Sequence, residues 1–122
     1  MQAIKWLNDF CEKAHLDSRV LEYVEGYPIF LISVAGSDMS LPSILLNSHY
    51  DVVPVMRDHW QADPFFATEN PDGEIVARGA QDMKCVCTAY LEAIVRLKAN
   101  NIKMRRTVHL SFVPDEETGL CC

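Results

Sequence analysis

Long apolar runs are missing from this chain. The longest, Ile29 to Ala35, is broken by Ser33 and falls far short of the roughly 18 to 20 apolar residues that span a bilayer, so no membrane segment is expected. Basic residues are scarce as well: 11 Lys and Arg stand against 17 Asp and Glu, a net charge of −6. A binder of phosphate backbones needs a basic face, and nucleic acid is excluded as a partner on that ground. The opening Met1-Gln2-Ala3-Ile4-Lys5-Trp6-Leu7-Asn8-Asp9 lacks the unbroken apolar stretch of a secretory signal. Cysteines are few and odd in number (Cys11, Cys85, Cys87, Cys121, Cys122). Reduced thiols in the cytoplasm, with no structural disulfide, are therefore the expectation, and the adjacent pair Cys121-Cys122 does not readily bridge without strain. Glycine is also sparse. Gly36 and Gly79 stand alone, outside any phosphate-cradling pattern, and Ser48 lacks the Gly-x-Ser-x-Gly elbow of a serine hydrolase. No repeat or low-complexity stretch divides the chain.

What remains is an ordinary globular composition, 49% hydrophobic and 23% charged over 122 residues, enough for one domain. Ile4, Leu7, Cys11 and Ala14 recur at helical spacing and predict a packing helix over Ala3 to Leu16. Val20 to Val24 and Ile29 to Val34, separated by Gly26-Tyr27-Pro28, predict an antiparallel pair of strands at a sheet edge. The continuous apolar run Ser43 to Asn47 predicts a buried central strand that leaves the core at Ser48-His49. Residues 50 to 64 lack periodicity and predict a surface excursion. A small hairpin is expected around Asn70-Pro71-Asp72-Gly73, followed by a long helix from Asp82 to about Asn100 with Glu92 and Arg96 paired on its wet side. Thr107 to Val113 reads as a final strand running into Pro114-Asp115-Glu116-Glu117. This order of elements predicts an α/β three-layer sandwich on a mixed, mainly parallel sheet.

In such sheets ligands sit beyond the carboxyl ends of the strands, which directs attention to His49-Tyr50-Asp51, Asp82 and Glu116-Glu117. Period-2 geometry puts His49 and Asp51 on one face, where the carboxylate is placed to orient a metal-bound imidazole. Each residue also has an ordinary explanation. A histidine at a strand end is often merely solvated, Asp82 suits a helix N-cap, and adjacent glutamates are commonly a solvated acidic loop. Four carboxylates and a histidine on one edge repel one another unless a cation neutralises them, and the mixed nitrogen and oxygen set suits Zn²⁺. Composition and spacing alone leave the metal site and the solvated edge both open. Cys85 and Cys87 lack metal or redox spacing and read as packing residues. His15, His59 and His109 lack acidic or cysteine partners at ligand spacing, and Trp60 reads as a loop anchor.

Three segments carry a resemblance: Ser48-His49-Tyr50-Asp51-Val52-Val53-Pro54, Ala77-Arg78-Gly79-Ala80-Gln81-Asp82-Met83-Lys84 and Val113-Pro114-Asp115-Glu116-Glu117. In this order, with apolar strands and a helix between them, they resemble the N-terminal signatures of the zinc-dependent aminoacylase and carboxypeptidase superfamily, over about Leu41 to Gly119. The resemblance implies that His49 binds one zinc, that Asp82 bridges two, and that Glu117 binds the second. It makes Glu116 the general base and Asp51 the residue that orients His49. The implied reaction is hydrolysis of N-acyl-L-amino acids to a carboxylate and a free amino acid, with two Zn²⁺ per full-length active site.

Departures from the pattern are equally specific. The superfamily has a further, dimer-forming domain and two more zinc ligands beyond the matched region, and its motif continues as Gly-Gly-His where this chain reads Thr118-Gly119-Leu120. Residues 1 to 122 are accordingly read as a partial catalytic domain without the dimerisation domain. The resemblance implies a homodimer at full length, and the shortened chain, with open sheet edges, is expected to self-associate. Two other readings stand beside the aminoacylase one: a non-catalytic truncated module that binds metal weakly or competes with full subunits, and a dipeptidase or carboxypeptidase of the same superfamily.

Overall fold

The computed structural model describes residues 1–119; Cys121 and Cys122, and with them the expectation about their pairing, lie outside the described residues. Helix α1 (Gln2–Ala14) turns Leu7 and Cys11 inward, as its apolar spacing predicts. It stops where His15 adopts a left-handed φ of 52°, and Leu16 N–H donates back to the Cys11 carbonyl at 2.9 Å. Strand β1 (Ser18–Leu21) pairs antiparallel with β2 (Ile29–Val34). β1 is shorter than expected because the chain already turns at Glu22, whose carboxylate accepts the Gly26 N–H at 2.7 Å. Strand β3 (Ile44–His49) leads through the excursion into the hairpin β4 (Thr68–Glu69) and β5 (Ile75–Val76). The excursion is tied to the segment after the hairpin, with the Arg78 guanidinium 5.4 Å from the ring of Trp60, in keeping with a loop anchor. A turn at Ala80–Lys84 precedes α2 (Cys85–Ala99), and β6 (Val108–Val113) closes the order.

The sheet runs β1-β2-β6-β3, with β6 antiparallel to β2 and parallel to β3. Its mixed α/β character agrees with expectation, but the parallel share does not: among the described residues β3 with β6 is the one parallel pair. The reason is connectivity. Only the β3 to β6 connection carries a helix long enough for a crossover, whereas β1 to β2 is a tight reversal. Register places Phe30, Ile32, Leu110, Phe112 and Val108 on one face, where they meet Leu7 and Cys11 of α1 and Cys87, Leu91 and Ile94 of α2 in a single core. Both helices thus cover the same face, and the described residues supply two layers of the expected three. The predicted central strand is also displaced: β3 lies at an edge, with Leu45 62% exposed. A continuous apolar run signals a strand built to be covered on both faces, and here the covering comes from one side only.

Gly36 shows how closely the sheet's ends pack. A side chain there would meet the backbone of Arg106 at 2.3 Å, while its own N–H donates to Thr107 Oγ1 at 3.2 Å. The cysteines divide by environment. Cys11 and Cys87 are buried, and burial pushes both thiols above their ordinary pKa, whereas Cys85 is exposed and donates to the Gln81 carbonyl at 2.8 Å, contrary to the packing role expected of it. On α2, residues two apart face different ways, so one thiol of the pair enters the core and the other meets solvent. Because alkylation proceeds through the thiolate, Cys85 should label faster than Cys11 and Cys87 by on the order of tenfold or more in mildly alkaline buffer. Peptide mapping after timed iodoacetamide treatment checks this, and equal rates would contradict the burial.

Candidate metal centre

The site lies at the carboxyl ends of the parallel pair. His49 is the last residue of β3 and stands opposite Val113, the last of β6, and the Tyr50 N–H donates to the Val113 carbonyl at 3.0 Å. The turn after β6 then delivers Glu116 and Glu117, and the turn before α2 delivers Asp82. A crossover between parallel strands brings all three polar segments to one edge, although they lie far apart in sequence.

His49 is buried, with 5% of its side chain exposed. Its Nδ1 faces the Asp51 backbone carbonyl at 3.2 Å and Asp51 Oδ1 at 3.4 Å. Nε2 faces Asp82 Oδ1 at 3.2 Å and Glu116 Oε2 at 3.8 Å, so both ring nitrogens meet oxygen acceptors, and with Nδ1–H turned to Asp51 the Nε2 lone pair would point at the two carboxylates. A lone pair aimed at carboxylate oxygens needs a proton or a cation between them. Ligand atoms of His49, Asp82 and Glu117 all lie within 4.8 Å of one another, a spacing that a metal ion can bridge. One imidazole nitrogen with two carboxylates is a donor set that zinc accepts. The residues therefore fit a metal, and one further observation agrees: Asp51 Oδ1 is buried with no hydrogen-bond partner beyond its approach to the imidazole.

Asp51 does more than its sequence position suggested. Its second oxygen, Oδ2, accepts the Glu117 N–H at 3.0 Å, so one carboxylate touches both the imidazole and the backbone of the second glutamate. Nothing in the spacing of residues 51 and 117 signals this, since it depends on the register of β3 with β6. Asp82 departs from its ordinary explanation. Its φ of −119° and ψ of 102° are not helical, its peptide bond to Met83 is cis, and the residue that caps α2 is Lys84. An aspartate that ought to cap a helix instead turns its carboxylate toward His49.

Supporting residues surround this group. Cys87 Sγ donates to the His49 carbonyl at 3.3 Å, and Lys84 Nζ donates to the Tyr50 carbonyl at 3.2 Å. Lys84 is exposed as a residue, yet partial desolvation holds its pKa below the ordinary lysine value, against the attraction of nearby Cys87 and Asp51. Tyr50 donates its hydroxyl to the Pro28 carbonyl at 2.6 Å; burial, then the charges of Asp51 and Glu22, push its pKa up to about 12. It stays a neutral anchor. Among the other histidines, His109 pairs through Nδ1 with Ser33 Oγ at 2.9 Å, in keeping with a hydrogen-bonded role.

Residues 45–121, well over half the chain and all three motifs, match the profile of peptidase family M20/M25/M40. The chain belongs to this family. Among relatives, it is similar to aminoacylase-1 of Mus musculus (49% identity over 117 residues) and of Homo sapiens (46% over 117), covering 96% of this chain and 29% of each relative. Aminoacylase-1 of Dictyostelium discoideum is 51% identical over 94 residues, 77% of this chain and 23% of that protein. This M20 chain thus spans under a third of the length of the curated relatives it matches. Solved structures of similar fold include an M20 family metallo-carboxypeptidase, Sso-CP2, from Sulfolobus solfataricus, with a TM-score of 0.79 and 30% identity over 94% of this chain and 26% of that one. Human carnosine dipeptidase 1 aligns with a TM-score of 0.76 and 25% identity, over 98% of this chain and 27% of that chain. The family of metallopeptidases and the mixed α/β sheet agree with the resemblance drawn from the motifs, and metal dependence follows from membership. No helix among the described residues is long and apolar enough to cross a membrane.

Proposed function

We propose that this chain is part of a zinc-dependent amidohydrolase that releases free L-amino acids from N-acyl-L-amino acids. The observation that carries the reading is the grouping of His49, Asp82 and Glu117 within 4.8 Å, with the separate carboxylate of Glu116 beside it. Similarity to aminoacylases at 46% to 51% identity supports the substrate class. His49, Asp82 and Glu117 would hold the metal, two Zn²⁺ in the complete active site, with Asp82 between them. Bound there, the ions would supply Lewis acidity, neutralising charge that develops on the amide carbonyl oxygen.

The protein's own groups divide the remaining work. Asp51 holds the imidazole of His49 through Nδ1 and steadies the Glu117 backbone with its other oxygen. Glu116, whose carboxylate is 57% exposed and reaches 3.8 Å from His49 Nε2, faces the space a substrate would enter. It takes a proton from the attacking water and returns it to the leaving nitrogen, so that amide and water become carboxylate and amine. The full protein is read as a cytoplasmic homodimer, with residues 1 to 122 as a partial catalytic domain.

A second reading draws on the exposure of Asp82, 73% at its side chain, and of Glu116: a module that binds metal weakly and does not turn over substrate. Glu116→Gln separates the two. On the catalytic reading, the full-length, zinc-loaded protein hydrolyses an N-acetylated aliphatic amino acid, and Glu116→Gln within it loses about 10² to 10⁴ of that rate while keeping zinc affinity. A metal-loaded full-length protein with no turnover would place the chain with the non-catalytic module. Hydrolysis of a dipeptide in preference to the acetylated amino acid would move the substrate class within the family.

A further inference from the structure

The exposure of Asp82 poses a question of geometry, because an outward-facing carboxylate on an irregular turn has little around it to fix its distance from His49. The turn itself is fixed from behind. Lys84 N–H donates to the Gly79 carbonyl at 3.0 Å and closes the turn, while Lys84 Nζ donates to the Tyr50 carbonyl at 3.2 Å and ties it to the segment that carries His49 and Asp51. One turn further along α2, Cys87 Sγ reaches the His49 carbonyl at 3.3 Å. The carbonyls of residues 49 and 50 are thus both held by the first turn of α2. The approach is close enough to need glycine at 79: φ there is +82°, and a side chain would meet Val52 Cγ1 at 2.4 Å and Lys84 Nζ at 2.8 Å.

We infer that Lys84, seated over Gly79, is a positioning residue that latches the carrier of Asp82 to the carrier of His49 and so sets the spacing of the metal centre. The inference rests on the reading of His49 and Asp82 as ligands. The hydrogen bonds of Lys84 go to the Tyr50 and Gly79 carbonyls and not to the candidate metal donors, so it acts through the Tyr50 carbonyl. Lysine suits this role because its long stem lets a residue of the turn reach the Tyr50 carbonyl with a point-charge donor, beside a crevice that Leu7, Cys87 and Phe112 also line.

The test is zinc affinity, measured by competition with a chromophoric chelator, for the native chain, Lys84→Met, Lys84→Arg and His49→Ala. Methionine keeps the apolar stem and removes the donor. Lys84→Met should lose about 10- to 100-fold in zinc affinity, the range typical of groups that orient ligands, and Lys84→Arg should recover most of it. A merely structural lysine would lower the melting temperature of the metal-free chain without changing affinity in the folded fraction. Native-like affinity in folded Lys84→Met overturns the latch while leaving the metal reading intact. Equal affinities in the native chain and His49→Ala overturn the metal reading, and the latch with it. Should Lys84→Met fail to fold, the native chain decides: saturating zinc should lower the unlatched population, and with it the acetylation of Lys84 relative to Lys103, by about the same 10- to 100-fold, since coupling between two sites is reciprocal. An unchanged rate overturns the latch.

Discussion

Replacing His49 with alanine is expected to lower zinc affinity on the order of 100-fold or more, because it removes a donor outright where loss of an orienting partner alone costs 10- to 100-fold. His49 is the single nitrogen donor in the group, and without it Asp82 and Glu117 are left as neighbouring carboxylates. Their repulsion then opposes the arrangement that the imidazole had held together. The substitution also takes the imidazole away from Asp51 Oδ1, while the other oxygen stays committed to the Glu117 N–H. Competition titration near neutral pH measures the loss. His109→Ala is the matched control, since that imidazole is engaged with Ser33 and lies away from the metal donors. Equal affinities for the two variants would remove His49 from the ligand set.

Phe112→Ala should destabilise the chain by about 3 to 5 kcal/mol. Phe112 is 1% exposed and sits on the central strand β6, opposite Phe30 in register, with the two rings edge to face at 6.3 Å. Both helices close over this strand's apolar face, so the vacated volume is enclosed on several sides and relaxes little. Native domains are commonly stable by only about 5 to 15 kcal/mol, so the loss would remove a large share. Urea unfolding at fixed protein concentration, followed by circular dichroism, reads the shift. A loss below about 1 kcal/mol would mean that β6 is not the centre of the core.

Both expectations depend on features that differ in how plainly the sequence announced them. β6 was legible because Val108, Leu110 and Phe112 alternate, and the helices because their apolar positions recur at helical spacing. The strand ends at His49 and Val113 could be placed for the same reason, which is why the candidate donors were found. What periodicity cannot carry is pairing. The apolar run of β3 looked central, but its position depends on which strands lie beside it, and it has one neighbour among the described residues. Asp82 looked like a cap because aspartate before a helix usually is one; the backbone there leaves helical geometry and Lys84 takes the cap position instead. Asp51's hold on the Glu117 N–H, and the reach of Lys84 to Tyr50, are contacts across parallel strands and between turn and strand. They follow from register, which no local pattern encodes.

The parallel pairing of β3 with β6 has a kinetic consequence. His49 and Asp82 lie 33 residues apart, and Asp51 and Glu117 lie 66 apart, so the donors are gathered by closing long loops. Neighbouring antiparallel strands such as β1 and β2 can meet early, but the β3–β6 pair must wait for the excursion, the hairpin and α2 to be laid down between them. The group of His49, Asp82 and Glu117 is thus the last local environment to assemble as the chain acquires its topology. Zinc capture during refolding would therefore keep time with the slow crossover, and not with the far faster diffusion of the ion.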